Sequence, residues 1–406
     1  MLAIRAARVF DGERMLPDGA QVVVAEGRIA SVGPRTAPVP DGCPVREFDG
    51  TLLPGLIDAH VHLCADAGPA ALERLGKADG ADLARVIEES LRTHLSAGVT
   101  TVRDLGDRQD AVLAWRPGAP PGLPAVVASG TPITSVGGHC WALGGEAAGQ
   151  EGLGEAVRHR AQAGADVIKI MASGGVFTPG TDTARPQFTD AELTSAVAGA
   201  HALGLPVTAH AHALPAVWQA LRAGVDGIEH CSCVAAGGAR IPDDLAREIA
   251  AARTAVCATL GSDPSIVVPP EVLAMAAAAG ITEAALQAVT GRLCAAGARI
   301  VAGSDGGLGP AKPHGLLPCT LDEYVRSGIP ATAALAAATS AAADACHLTG
   351  RKGRVRAGYD ADLLAVHADP TADITTLLSP DAVYLAGQPV AVVPLQAEKR
   401  SAGHNW

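Results

Sequence analysis

The chain has 406 residues, 31 basic and 42 acidic side chains for a net charge of −11, and is 48% hydrophobic but only 3% aromatic. That apolar content excludes a disordered chain, and an acidic balance without a lysine or arginine run excludes a phosphate-tracking surface, so nucleic acid is not an expected partner. No apolar stretch approaches the roughly 20 residues that span a bilayer, no secretory core opens the sequence, and nine cysteines without a C-x-x-C pair fit reduced thiols, so a cytoplasmic protein without a membrane partner is expected.

In chain order, residues 4–49 read as short strands bounded by Gly, Pro and Asp: Arg5-Ala-Ala-Arg-Val-Phe, a turn at Asp11-Gly12, Gln21-Val-Val-Val-Ala and Arg28-Ile-Ala-Ser-Val. Short apolar runs then alternate with helical segments, the signature of βα units around a parallel sheet. Eight such runs are predicted as strands, at 56–63, 100–105, 125–130, 167–172, 206–212, 227–232, 256–260 and 300–305. Eight is the number that closes a (β/α)8 barrel of the TIM type, with a doubly wound open sheet as the alternative α/β fold. Between the strands, 83–97 has apolar residues at helical spacing, and Thr189-Asp190 is an N-cap ahead of Ala191-Glu192-Leu193. The apolar runs 273–279 and 331–338 have the length of buried helices. From about residue 353 the short-strand pattern returns, in Ala361-Asp-Leu-Leu-Ala-Val, Ala382-Val-Tyr-Leu-Ala and Pro389-Val-Ala-Val-Val.

Chemistry-bearing residues track the strand ends. His60-Val61-His62 closes the first predicted barrel strand, and residues two apart on a strand share a face, so both imidazoles point into one space. Lys169 lies on the fourth strand, His210 and His212 end the fifth, His230 ends the sixth, and Asp305 ends the eighth. Polar residues at the C-terminal ends of barrel strands are where catalysis is expected, whereas solvated surface charges have no reason to follow that register.

The ordered set H-x-H, Lys, His, His, Asp resembles that of the metal-dependent amidohydrolase superfamily. The segments Leu53-Pro-Gly-Leu-Ile-Asp-Ala-His-Val-His, Ala172-Ser-Gly-Gly-Val and Thr208-Ala-His-Ala-His are similar to its imidazolonepropionase-like and Xaa-Pro dipeptidase branch. The resemblance covers nearly the whole chain. It implies a barrel over 54–350 and a small β-sandwich formed from both termini, residues 1–53 and 351–406. It also implies two divalent metal ions, zinc by preference, one on His60 and His62 and the other on His210 and His230, bridged by Lys169 as a carbamate. A bare ammonium has no lone pair for a metal, so Lys169 could act only after carboxylation by CO2. Asp305 would coordinate one metal and shuttle the proton.

Further residues follow from the same resemblance. His139, in Ser135-Val-Gly-Gly-His-Cys, matches a glycine-flanked loop histidine and is the candidate donor to the oxyanion. His212 shares the face of His210 and is read as a neighbour of the metal ligands or a substrate contact. Arg185 can pair bidentately with a substrate carboxylate, and His314 lies in a loop expected to reach the site. One departure is plain: the dipeptidases are expected to carry a carboxylate-binding tyrosine after the sixth strand, where this chain reads His230-Cys-Ser-Cys-Val. Cys231 and Cys233 are read as small buried hydrophobes, not thiolate ligands.

The expected activity is hydrolysis of an amide bond in a peptide or cyclic amide by a metal-bridging hydroxide. Two alternatives stand beside it: removal of a follower peptide in a bottromycin-like ribosomal peptide pathway, and deamination of a heterocycle at a single metal. The second usually places an acid three residues after the strand-five histidine, where this chain has Ala213. A noncatalytic metal-binding scaffold would lose ligands that this chain keeps. The expected partner is a small-molecule or peptide substrate, and self-association into a homo-oligomer stays open.

Overall fold

The computed structural model of the chain describes residues 1–268, 270–278 and 280–391. Ala279, closing the apolar run 273–279, and Val392 and Val393, closing the last expected strand, lie outside the described residues, as does the tail beyond them. The N-terminal strands are β1 (Leu2–Phe10), β2 (Met15–Leu16), β3 (Ala20–Ala25), β4 (Arg28–Gly33) and β5 (Val45–Pro54). The βα region follows with β6 (Leu56–Val61), β7 (Val99–Asp104), β8 (Ala125–Ala128), β9 (Ile168–Met171), β10 (Val207–Ala213), β11 (Gly227–Ala235), β12 (Gly238–Ala239), β13 (Ala255–Cys257) and β14 (Arg299–Ile300). β15 (Leu363–Val366), β16 (Pro380–Leu385) and β17 (Gln388–Val390) end the described chain. Each of the eight expected barrel segments overlaps an observed strand, the eighth only at Ile300.

The strands of the two termini form one eight-stranded sheet, ordered β17-β16-β15-β5-β1-β3-β4 with β2 on β1. The sandwich expected from both ends is thus one hydrogen-bonded sheet, in which β5 pairs β1 in parallel and β15 antiparallel. Alternate residues such as Ile4, Val22, Val24, Leu52 and Leu363 bury a core of its own. β5 passes through Gly55 directly into β6, so this sheet anchors the first strand of the βα region.

The remaining strands pair in parallel as β6-β7-β8 and β14-β13-β11-β10-β9. Isolated parallel bridges, Val61 to Gly306 and Ile133 to Ile170, link the two sheets. The result is a TIM-barrel-like α/β fold joined to the sheet of the termini. Helices pack outside it: Gly80–Ser96 buries Leu83, Ile87, Leu91 and Leu95, one face at helical spacing. Asp190–Ala202 starts at Thr189 with a full capping box, the Glu192 side chain answering the Thr189 backbone. Among the described residues no helix is long and apolar enough to cross a membrane.

Candidate active site

A cavity of about 350 Å³ opens where the parallel strands end. His60, His62, His139, Lys169, His210, His212, His230 and Asp305 all line it. Two groups of donor atoms converge, His60 with His62 and Asp305, and His210 with His212 and His230, each within 4.8 Å. The groups adjoin, since the His60 and His230 rings are 5.3 Å apart. Thus the structure gathers every strand-end residue singled out in the sequence, and sets His212 beside His210 and His230 as an equal donor.

The backbone makes this convergence possible. Regular strand geometry would send neighbours to opposite faces, yet His230 lines the cavity while the adjacent Glu229 reaches His60 behind it, with His230 turned to φ 67°. Asp305 is likewise left-handed, at φ 61°. Such a backbone costs roughly 1–2 kcal/mol for a residue with a Cβ and persists only when its surroundings enforce it. Asp58 helps to enforce it by accepting from the Ser304 amide at 2.9 Å and the Ser304 hydroxyl at 2.6 Å. Gly303 lets the eighth strand approach, since a Cβ there would lie 2.7 Å from that of His60.

Hydrogen bonds behind the cavity fix the histidine tautomers. His60 Nδ1 donates to Glu229 Oε2 at 2.8 Å, and His62 Nδ1 donates to the Gly106 carbonyl at 3.0 Å. Their Nε2 atoms therefore carry lone pairs when neutral, and both face Asp305 Oδ1, at 3.4 and 3.2 Å. Acceptors facing an acceptor call for a cation between them, and the imidazole and carboxylate donors suit a divalent transition ion. Thr259 meets His230 Nδ1 at 2.7 Å and Ser232 meets His212 Nδ1 at 2.9 Å. This is the outer support that metal-binding imidazoles ordinarily have. Lys169 is buried, and among the described residues its Nζ makes no hydrogen bond or ion pair. Burial lowers its pKa, against the Glu229 and Asp305 charges that act on it from beyond contact, and carboxylation of Nζ would turn it into an acidic ligand.

Electrostatics follow from burial. Burial, with the Lys169 charge next, lowers the His60 pKa to about 4. Burial and the His212 charge take His139 to about 3, and burial takes His212 to about 4. His210 and His230 are pushed well below the usual value by burial and by the neighbouring histidines. His62 goes the other way, because the Asp305 hydrogen bond and charge overcome its burial. Burial alone would raise Asp305, but the His62 hydrogen bond and the His60 and His62 charges hold it far below the usual carboxylate range.

The depressed histidines have a measurable consequence in the metal-free protein. Below about pH 6.5 the unfolded chain protonates imidazoles that the folded chain keeps neutral, so stability present above that pH is lost toward about pH 4. His62 opposes this, as do Asp58 and Asp107, whose pKa values burial raises to about 6 and about 7, since a raised pKa adds stability as pH falls, but the lowered imidazoles outnumber them. The urea midpoint of chelator-treated protein is therefore expected to fall between about pH 7 and about pH 5. A flat profile would contradict the burial of neutral imidazoles.

Two expected substrate contacts lie elsewhere. Arg185 is 82% exposed in its side chain and pairs with Asp182 at 3.2 Å, outside the cavity, because its short loop turns it to solvent. His314 is buried behind the site, donating through Nε2 to the Ala65 carbonyl at 2.7 Å and meeting His94 at 3.1 Å. Sequence reasoning missed the residues that hold the ligands. Glu229 accepts from Arg103 at 3.0 Å and from Thr208 at 2.5 Å as well as from His60. Lys312 also lines the cavity.

Known proteins resemble this chain over most of its length. Residues 51–390 match the profile of the amidohydrolase family. Ochratoxinase of Aspergillus niger is 28% identical over 365 residues, 82% of this chain and 73% of that protein. A Xaa-Pro dipeptidase crystallised with methionine in its active site superposes with a TM-score of 0.84 at 25% identity, covering 96% of this chain and 99% of that one. A prolidase complexed with N-methylphosphonate-L-proline gives 0.82 at 27% identity, covering 96% and 99%.

Proposed function

This chain belongs to the amidohydrolase family, in the branch of the Xaa-Pro dipeptidases, and is a hydrolase of carbon–nitrogen bonds; from that premise we propose that it cleaves an amide bond of a peptide or cyclic amide at a binuclear metal centre. The observation that carries this reading is the pair of imidazole nitrogens turned on a carboxylate oxygen beside a buried lysine whose amine, among the described residues, makes no hydrogen bond. On it, residues 54–350 are the catalytic unit. His60 and His62 would hold one ion, His210 and His230 the other, carboxylated Lys169 would bridge them, and Asp305 would complete the set. Two zinc ions bound there would acidify a water and polarise the scissile carbonyl.

The chain's own groups do the rest. Asp305, ionised and beside both histidines, accepts the proton of the attacking water as oxygen bonds to the carbonyl carbon. The same carboxyl returns that proton to the amide nitrogen as the carbon–nitrogen bond breaks, leaving an acid and an amine. His139 is neutral, and its Nδ1 is 2.9 Å from Thr178 Oγ1, which itself accepts from the Cys140 amide at 3.0 Å. The threonine proton is thereby free for Nδ1, leaving Nε2–H to donate to the oxyanion. His212 stands ready as a further contact beside His210.

The test is amine release from a panel of dipeptides, N-acyl amino acids and cyclic amides. Turnover is expected to disappear on chelation and to return with zinc. Activity that survives complete metal removal, or no release by the zinc-loaded protein across the panel, would overturn the reading.

A further inference from the structure

We propose that His139 and Cys140 form a site for a further, inhibitory divalent ion, zinc above all, which binds when metal exceeds the need of the binuclear centre and takes the oxyanion donor out of service. The inhibition rests on the reading of His139 as that donor, whereas the binding of the ion does not. His139 Nε2 and Cys140 Sγ are 3.5 Å apart. A tetrahedral zinc ion, with bonds of about 2.3 Å to sulfur and about 2.0 Å to imidazole nitrogen, sets two such ligand atoms about 3.5 Å apart. Both residues line the cavity, and each is 5% exposed. Successive side chains of an extended backbone point apart, but Cys140 is left-handed, at φ 60°, and its thiol meets the preceding ring. The His139 ring lies 4.6 Å from that of His210, so an ion held there sits beside the reacting centre.

Thr178 holds the pair and lets the imidazole change roles. Its hydroxyl oxygen accepts from the Cys140 amide at 3.0 Å and lies 2.9 Å from His139 Nδ1. When the hydroxyl donates to Nδ1, Nε2 carries the proton and is a hydrogen-bond donor. When Nδ1 carries the proton, the hydroxyl accepts it and Nε2 offers a lone pair to a cation. Among the described residues Nε2 meets no hydrogen-bonding partner besides the thiol. Gly175 closes one side of the ring, since a Cβ there would lie 2.3 Å from Nε2. Burial keeps the thiol protonated in the absence of a cation, so the S–H bond breaks as the bond from sulfur to the metal forms, and the proton leaves to solvent. Thiolate and imidazole together select zinc or a similar ion over magnesium or calcium. Two protein ligands with water completing the shell hold an ion less tightly than the full set beneath them, so this site fills last.

Sulfur ligation has a signature that imidazole and carboxylate ligation lack: a charge-transfer band in the near ultraviolet when the ion is cobalt. Among the described residues that line the cavity, Cys140 is the one cysteine. Wild type, Cys140→Ser and Cys140→Ala are loaded with cobalt until the tight sites are full and then titrated with more, reading absorbance and the metal bound at dialysis equilibrium. Wild type is expected to gain the band together with about one more ion per chain, and both variants to gain neither over the same range. Excess zinc is then expected to lower amine release by wild type about 10²-fold, as the loss of an oxyanion donor does, and to leave each variant near its own rate without the excess. No band and no extra ion in wild type, or the same band in all three proteins, overturns the site. Band and extra ion without inhibition, or inhibition undiminished in the variants, overturns its inhibitory role. If neither variant folds, His139→Gln decides on the same terms, because it keeps the thiol and removes its partner ligand. Protein that releases no amine at any zinc level defeats the hydrolase reading, and the cobalt band still decides whether the ion binds.

Discussion

Replacing Asp305 by asparagine is expected to lower turnover by about 10²- to 10⁴-fold, the usual contribution of a positioned acid–base group, with the fold intact. Asn has the same shape and leaves Ser304 and its contacts with Asp58 in place. It removes the negative charge that sits 3.2 Å from His62 Nε2 and 3.4 Å from His60 Nε2, together with the site that holds the proton between attack and amine departure. Four histidines and Lys169 stay, so much of the metal should stay too. The check is kcat on any substrate the wild type turns over, alongside thermal unfolding and metal content. Undiminished turnover would remove Asp305 from the proton path.

Glu229→Gln is expected to do its damage through stability and metal retention together. Glu229 is fully buried, and its two oxygens accept from Arg103, Thr208 and His60. Burial alone would raise its pKa, but the Arg103 charge and the His60 charge and hydrogen bond hold it well below the usual carboxylate range. Gln leaves the Arg103 guanidinium buried without a counter-charge, a loss of about 3–5 kcal/mol for a broken internal ion pair. It also frees the His60 tautomer, and losing such outer support typically weakens metal binding about 10- to 100-fold. Urea unfolding of the metal-free variant isolates the first effect, and dialysis against a graded chelator isolates the second. Wild-type behaviour in both would mean that Glu229 neither balances Arg103 nor orients His60.

Much of this site was legible in the sequence because strand ends and ligands share one register. His60-Val61-His62 announces itself by spacing, Lys169, His210 and His230 lie on strands of the structure, and Asp305 follows β14 by five residues. The residues that fix those ligands were less visible for a physical reason. Glu229 and Arg103 are buried charges within strands, and only their pairing across three strands explains them. A charge inside an apolar run, as in Thr101-Val-Arg103-Asp104, was the available signal. That His230 lines the cavity while its neighbour Glu229 holds His60 goes with the left-handed turn at His230, which alternation along a strand does not foretell. Arg185 and His314 failed as substrate contacts because a loop's direction is set by tertiary packing: one loop turns its arginine to Asp182 and solvent, the other packs its histidine against His94. The loop that hides His314 is the one that delivers Lys312 to the cavity wall.

The binuclear centre is tested most directly by the metal content of protein purified without chelator in bicarbonate buffer, measured per chain by elemental analysis. The account predicts about two divalent ions per chain, held by two imidazole pairs and a bridging carbamate, and a fall when Lys169 is replaced by methionine. One ion per chain, unchanged by Lys169→Met, would contradict it. That result would leave Lys169 a structural lysine at a mononuclear site.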